Sequence, residues 1–278
     1  MLIPFERDCP VAVFDSGVGG LSVLQALLAR LPHESFVFVA DEKHLPYGDK
    51  QQAFITQRVL DLCAWARGLP AKAMVIACNT ATAAGATQAR VRHPDWPIVG
   101  IEPAVKPASM LTKTGVVGIL ATSNTVASER FRLLVERFDP LARVLAVPCP
   151  GLVELIEECP MSQERVRARL KPVLDHLLAE GADVIVLGCT HYPFVKSLIQ
   201  AQVGPDVPVI ETGLPVARQL HQRLLEQGLL QSALPEIAKE DSRRVTFLTT
   251  GDPAAFKAKL LSLLGTDWRD ATVGQLDV

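Results

Sequence analysis

Short apolar runs alternate with amphipathic stretches along most of the chain. The apolar runs predict strands at Val11–Phe14, Ser35–Ala40, Ala73–Ala77 and Pro97–Ile101. A second set is predicted at Val116–Leu120, Arg143–Val147, Asp183–Gly188 and Val207–Ile210, and a ninth near Arg244–Thr249. Runs such as AMVIA and VIVL show no polar alternation. That pattern suits strands covered on both faces, as in parallel α/β sheets. Helices are predicted between them. Leu21–Leu31 follows a glycine-rich turn, and Gln51–Arg67 is long and amphipathic. Ser162–Glu180 contains Pro172, which predicts a kink or break there. The last helix has a clear start, with Asp252 as N-cap and Pro253 at its first position.

The two strand sets are offset by 105, 108, 110 and 110 residues at their starts. The third strand of each set ends in a cysteine, in MVIACNTAT and VIVLGCTHY, and these cysteines are 111 apart. A near-constant offset over four strands points to an internal duplication. The expected fold class is therefore α/β: two similar doubly wound domains, mainly parallel sheets, pseudo-two-fold symmetry, and an active site between them. The ninth strand and last helix have no partner in the second copy and are expected to return to the first. The predicted domains are residues 1–101 plus 211–278, and 102–210.

Composition narrows the class. At roughly 150 residues per domain, 278 residues suit two domains. Hydrophobic residues make up 49% and charged ones 21%, enough apolar material for a packed core. A formal charge of −2 gives no general field for nucleic acid or an anionic membrane, so neither is expected as a partner. Glu6, Arg7 and Asp8 stand where a signal peptide needs an apolar run. No uncharged apolar stretch approaches the roughly 18 residues of a membrane span. A cytoplasmic location is expected. The six cysteines show no zinc-type spacing, so no metal is expected.

In open α/β sheets, ligands bind beyond the carboxyl ends of the strands. Asp15, Ser16, Cys78, Asn79, Thr80, Thr122, Cys189, Thr190 and His191 all fall at such ends. If the two domains face each other, Cys78 and Cys189 flank one cleft. Each precedes a predicted helix, whose N-terminus favours thiolate. A thiolate on one side of a carbon and a thiol on the other can invert a stereocentre, provided both reach that carbon. Asn79, Thr80, Thr190 and Ser16 can hold a carboxylate. Asp15 can hold an ammonium or assist Cys78, His191 can tune Cys189, and the Tyr47–Gly48 turn can cover the site. Other readings share part of this pattern: a racemase for aspartate or another small acid, an isomerase or a decarboxylase (the last needing only one cysteine), a two-domain small-molecule binding protein or ligand-sensing regulator, and a cysteine hydrolase using Cys189 and His191. Cys189 and His191 are near neighbours on the chain and are not expected to face each other.

The segments FDSGVGGLSVL, LPYGD, ACNTATA and GCTHYPF closely resemble those of the glutamate racemases, as do ETG and FLTTGD downstream. The similarity runs from about Val11 to Gly265. Ser22 and Val195 depart from the usual Thr and Leu, and CPGLVELIEE is a loose match. The resemblance implies reversible conversion of L- to D-glutamate for peptidoglycan, without pyridoxal phosphate or metal, by a homodimer. It implies that Cys78 deprotonates the D isomer and Cys189 the L isomer. By motif, Asp15, Ser16, Tyr47, Gly48, Asn79, Thr80, Thr190 and His191 are pocket positions, with Thr122 and Glu157 in support.

Overall fold

The central strands are apolar on both faces and are buried end to end. In a computed structural model, which describes residues 6–138, 141–232 and 244–278, ten strands form two sheets. The first five are β1 Val11–Asp15, β2 Phe36–Ala40, β3 Ala73–Ile76, β4 Ile98–Gly100 and β5 Val116–Ala121. The others are β6 Arg143–Pro148, β7 Val184–Gly188, β8 Val209–Ile210, β9 Val245–Thr249 and β10 Val273–Gln275. The six-stranded sheet runs β10-β9-β2-β1-β3-β4 and the four-stranded sheet β6-β5-β7-β8. Every pairing is parallel.

The order within each predicted copy is the same: second strand, first, third, fourth. The mixed α/β class with parallel sheets is thus as the sequence predicts. The ninth strand pairs with β2, from Phe36 opposite Val245 to Ala40 opposite Thr249. β10 was not predicted. It adds three residues at the edge, beside β9.

Alternate residues of a strand point to opposite faces. Val11 and Val13 enter one core cluster, and Ala12 and Phe14 enter another on the far face. In the smaller sheet, Ile185 and Leu187 face one cluster while Val184 and Val186 face the other. Each sheet is therefore the middle layer of three.

The helices up to the second sheet are α1 Leu21–Arg30, α2 Gln52–Gly68, α3 Asn79–Arg92 and α4 Val105–Leu111. Those around it are α5 Ser123–Ala127, α6 Glu129–Phe138, α7 Leu152–Glu157, α8 Gln163–Ala179 and α9 Lys196–Val203. The chain then returns through α10 Gly213–Glu226 and α11 Pro253–Leu264. Asp252 caps α11, accepting from the amides of Ala254 and Ala255. Helix α8 corrects the expected break, because it runs unbroken through Pro172. Its buried stripe of Val166, Leu170, Leu174 and Leu177 holds both halves on the sheet. Tertiary packing of that kind outweighs one missing backbone hydrogen bond. No helix among the described residues is long and apolar enough to cross a membrane.

Helices α2 and α3 meet closely at Gly85. A Cβ added there would lie 2.6 Å from the Cβ of Val59. Alanine normally improves a helix interior by about 1 kcal/mol over glycine. Overpacking of about 1–3 kcal/mol should win at this contact. Gly85→Ala is therefore expected to lower the Tm in a thermal melt.

Candidate active site

Five strand ends converge on one cavity of about 490 Å³. They belong to the central strands β1 and β3 of one sheet and to β5, β6 and β7 of the other. Nine of the ten predicted site residues line it: Ser16, Tyr47, Gly48, Cys78, Asn79, Thr80, Cys189, Thr190 and His191. Thr122 lines it too. Asp15 does not reach the cavity. It is fully buried behind the cysteines, where its carboxylate accepts from the Gly17 amide and the Thr190 hydroxyl, both at 2.9 Å. The second bond joins the end of β7 to the end of β1, so Asp15 stitches the two halves together.

Cys78 is the N-cap of α3, and its Sγ accepts from the Ala81 amide at 3.5 Å. Ser16 Oγ lies 3.7 Å away. The expected thiolate is not what this setting favours. Burial pushes the Cys78 thiol well up, and the Asp15 carboxylate adds to that. The Ala81 amide and Ser16 hydroxyl pull it back only in part, and Cys189 raises it further. Cys189 differs from the expectation in another way. A turn and a short 3₁₀ segment, Tyr192–Val195, separate it from α9.

That turn has a consequence the sequence did not suggest. It brings His191 Nδ1 to 3.8 Å from Cys189 Sγ, so the two near neighbours do face each other. The far side of the ring, Nε2, lies 2.8 Å from Glu157 Oε1. Burial alone would hold the imidazole low, but its bonds to Cys189 and Glu157 raise it well above its ordinary value. A charged imidazolium here donates from both nitrogens, to the sulfur and to the carboxylate.

Polar side chains from both copies also meet at the cavity. Thr80, Thr122 and Thr125 share hydroxyl contacts of 2.9, 3.3 and 2.9 Å. Asn124 donates to the carbonyls of Tyr47 and Lys50, which holds the Tyr47–Gly48 turn over the cavity. The Tyr47 hydroxyl donates to Asp41 at 2.5 Å, and Arg58 grips the same carboxylate. Asn79 stands apart. Among the described residues, neither its amide oxygen nor its nitrogen has a hydrogen-bond partner, although both are buried. Buried polar groups are rarely left so, and these line the cavity.

The model of the Asp/Glu/Hydantoin racemase family matches residues 19–220. The chain belongs to that family. A glutamate racemase from Pseudomonas entomophila (strain L48) is 46% identical over 93% of this chain and 95% of its own length. The solved glutamate racemase of Escherichia coli, in complex with L-glutamate and the activator UDP-MurNAc-ala, is 30% identical. It has a TM-score of 0.80 and covers 97% of this chain and 99% of its own. That of Francisella tularensis, in complex with D-glutamate, is 27% identical with a TM-score of 0.80 over 98% of both chains.

This racemase-family site also contains residues that sequence reasoning passed over. Cys149 is a third thiol on the cavity wall. It follows β6 as Asp41 follows β2, 108 residues earlier, so the repeat could have flagged it. Glu157 was placed only loosely, because its segment matches poorly. It ends α7 with three partners: the Val18 amide, His191 and Lys259. Burial would raise its carboxyl, but His191 first and Lys259 second hold it down at about 2. Lys259 also bonds Glu42. Its surroundings are visible only in three dimensions, since α11 lies far along the chain from both acids.

Proposed function

We propose that this protein interconverts L- and D-glutamate by a two-thiol proton transfer at Cα. One observation carries the reading: two cysteines at the same position of two repeated units line a single cavity. Enzymes of this kind need a base on one face of the carbon and an acid on the other.

In the L-to-D direction, Cys189 is the base. Its thiolate, paired with the His191 imidazolium, takes the Cα proton. The C–H bond breaks, an S–H bond forms, and the electron pair stays on Cα. The Cys78 thiol then delivers its proton to the opposite face and is left as thiolate. The raised Cys78 thiol fits this role, because an acid must carry its proton when the carbanion forms. The D-to-L direction runs through the same groups in reverse. Asn79, Thr80, Thr190 and Ser16 supply donors for the substrate carboxylates. The unpaired Asn79 amide is the group most in need of such a partner. Tyr47 and Gly48 cover the carbon, and Asp15 sets the charge behind Cys78 rather than touching substrate.

The sheets with their helices are read as two domains, residues 1–101 plus 211–278 and 102–210. Helix α10 packs on α1 and β4, and α4 packs on β5, β7 and α6, as that division requires. Supply of D-glutamate to peptidoglycan and a homodimer rest on the resemblance to the glutamate racemases, and a cytoplasmic location is proposed alongside them.

The test uses protein stripped of pyridoxal phosphate and metal, incubated with L-glutamate. Optical rotation is expected to decay to zero. Well-folded protein that leaves the rotation unchanged contradicts the proposal.

A further inference from the structure

The acid that seats His191 is itself held from the other side. Lys259 Nζ lies 2.7 Å from Glu157 Oε2 and 2.7 Å from Glu42 Oε1. Glu42 follows β2 in the six-stranded sheet and accepts from Thr249 at the end of β9. Glu157 belongs to α7, beside the four-stranded sheet. The ammonium thus bridges an acid from each side of the cleft. The other oxygen of Glu157 takes the Val18 amide and His191 Nε2, both within 2.9 Å. Glu42 and Glu157 are nearly buried, and the lysine side chain is only 20% exposed.

We propose that Lys259 is a positioning residue of the racemase site, tying α11 to Glu157 so that His191 stays seated against Cys189. This rests on the proposed two-thiol function, because the seating matters only if Cys189 moves a proton. The physical reason is charge. Glu157 faces His191 and Lys259, and its charge is felt at longer range by Asp15. Lys259 faces Glu42 and Glu157. His191 faces Cys189 and Glu157, with Asp15 nearby. Without the ammonium, the Glu42 and Glu157 carboxylates share one poorly solvated gap, and like charges so placed favour taking up a proton. A protonated or turned Glu157 no longer holds the ring. An exposed ion pair would do little. This one joins two nearly buried acids.

The test compares the full-length wild type with Lys259→Met, Lys259→Gln and Lys259→Arg. Carboxyl-¹³C glutamate labelling reads the Glu157 titration, with Glu157→Gln assigning the signal. Racemisation of glutamate is followed against pH. The enantiomers have equal energy, so kcat/KM is the same in both directions and either direction reports it. Lys259→Met is expected to move the Glu157 titration upward and shift the acid limb of kcat/KM, which reports the free enzyme, the same way. It should also lower kcat/KM by about tenfold, the scale of a modest misplacement. Lys259→Arg should restore both titration and limb. Lys259→Gln should show the same shifts as Met, and stands in if the Met variant does not fold. A wild-type Glu157 titration and pH profile in the Met or Gln variant overturns the proposal. The NMR arm reads the tie even in protein without racemase activity, so a failed function and a failed tie give different results.

Discussion

Cys78→Ser and Cys189→Ser are each expected to lose two-way racemisation by about 10³-fold or more in kcat, within the range that positioned acid–base groups supply. Both variants should fold normally. The change swaps one small atom, and a serine hydroxyl in place of the Cys78 thiol can still cap α3. The loss should be similar in either direction, since every conversion needs one group to take the proton and the other to return it. Polarimetry on both enantiomers checks this, with circular dichroism to confirm folding. A variant that kept full two-way activity would overturn the two-thiol mechanism and leave the family assignment intact.

Glu157→Gln is expected to damage both stability and turnover. It removes the charge that holds the His191 imidazolium and half of what holds Lys259. Losing one partner of a nearly buried pair leaves the other charge uncompensated. The carboxyl is held at about 2 against an ordinary 4.5, a difference on the order of 3 kcal/mol by linkage. Its folded value is depressed, so this stability is present above pH 4.5 and is lost as pH falls toward 2. His191 runs the other way. Its raised value gives stability that is complete below 6.5 and lost as pH rises through the folded value. The wild type should therefore be most stable between these limits, and Glu157→Gln should flatten both limbs. Thermal melts across pH read this directly. Turnover should fall about 10²-fold, because His191 loses its seat.

Much of the fold was legible because the decisive strands are buried on both faces. VAVFD and VIVLG carry no polar alternation, and every residue in them is buried. The repeat offset marked Cys78 and Cys189 before any fold was known, and the same strand order in both sheets explains why it could. What escaped depends on contacts between distant segments. β10 has three partly exposed or exposed residues and exists only through its pairing with β9. The continuity of α8 past Pro172 comes from its packed stripe, which local propensity does not record. The approach of His191 to Cys189 comes from a turn where a helix was expected. The Cys78 expectation weighed the helix end and left out desolvation, which is the larger effect here. Lys259 was invisible because its partners lie 217 and 102 residues away.

The two-thiol transfer is tested most directly by racemisation of L-glutamate in D₂O, stopped at low conversion and read by mass spectrometry and chiral separation. The accepting thiol and the donating thiol are different groups, and the donor has exchanged with solvent. The D-glutamate formed should therefore carry deuterium at Cα, while recovered L-glutamate stays protiated. D-glutamate that keeps the original proton, or L-glutamate that gains deuterium as fast as product appears, would mean one group serves both faces and would contradict the assignment of Cys78 and Cys189.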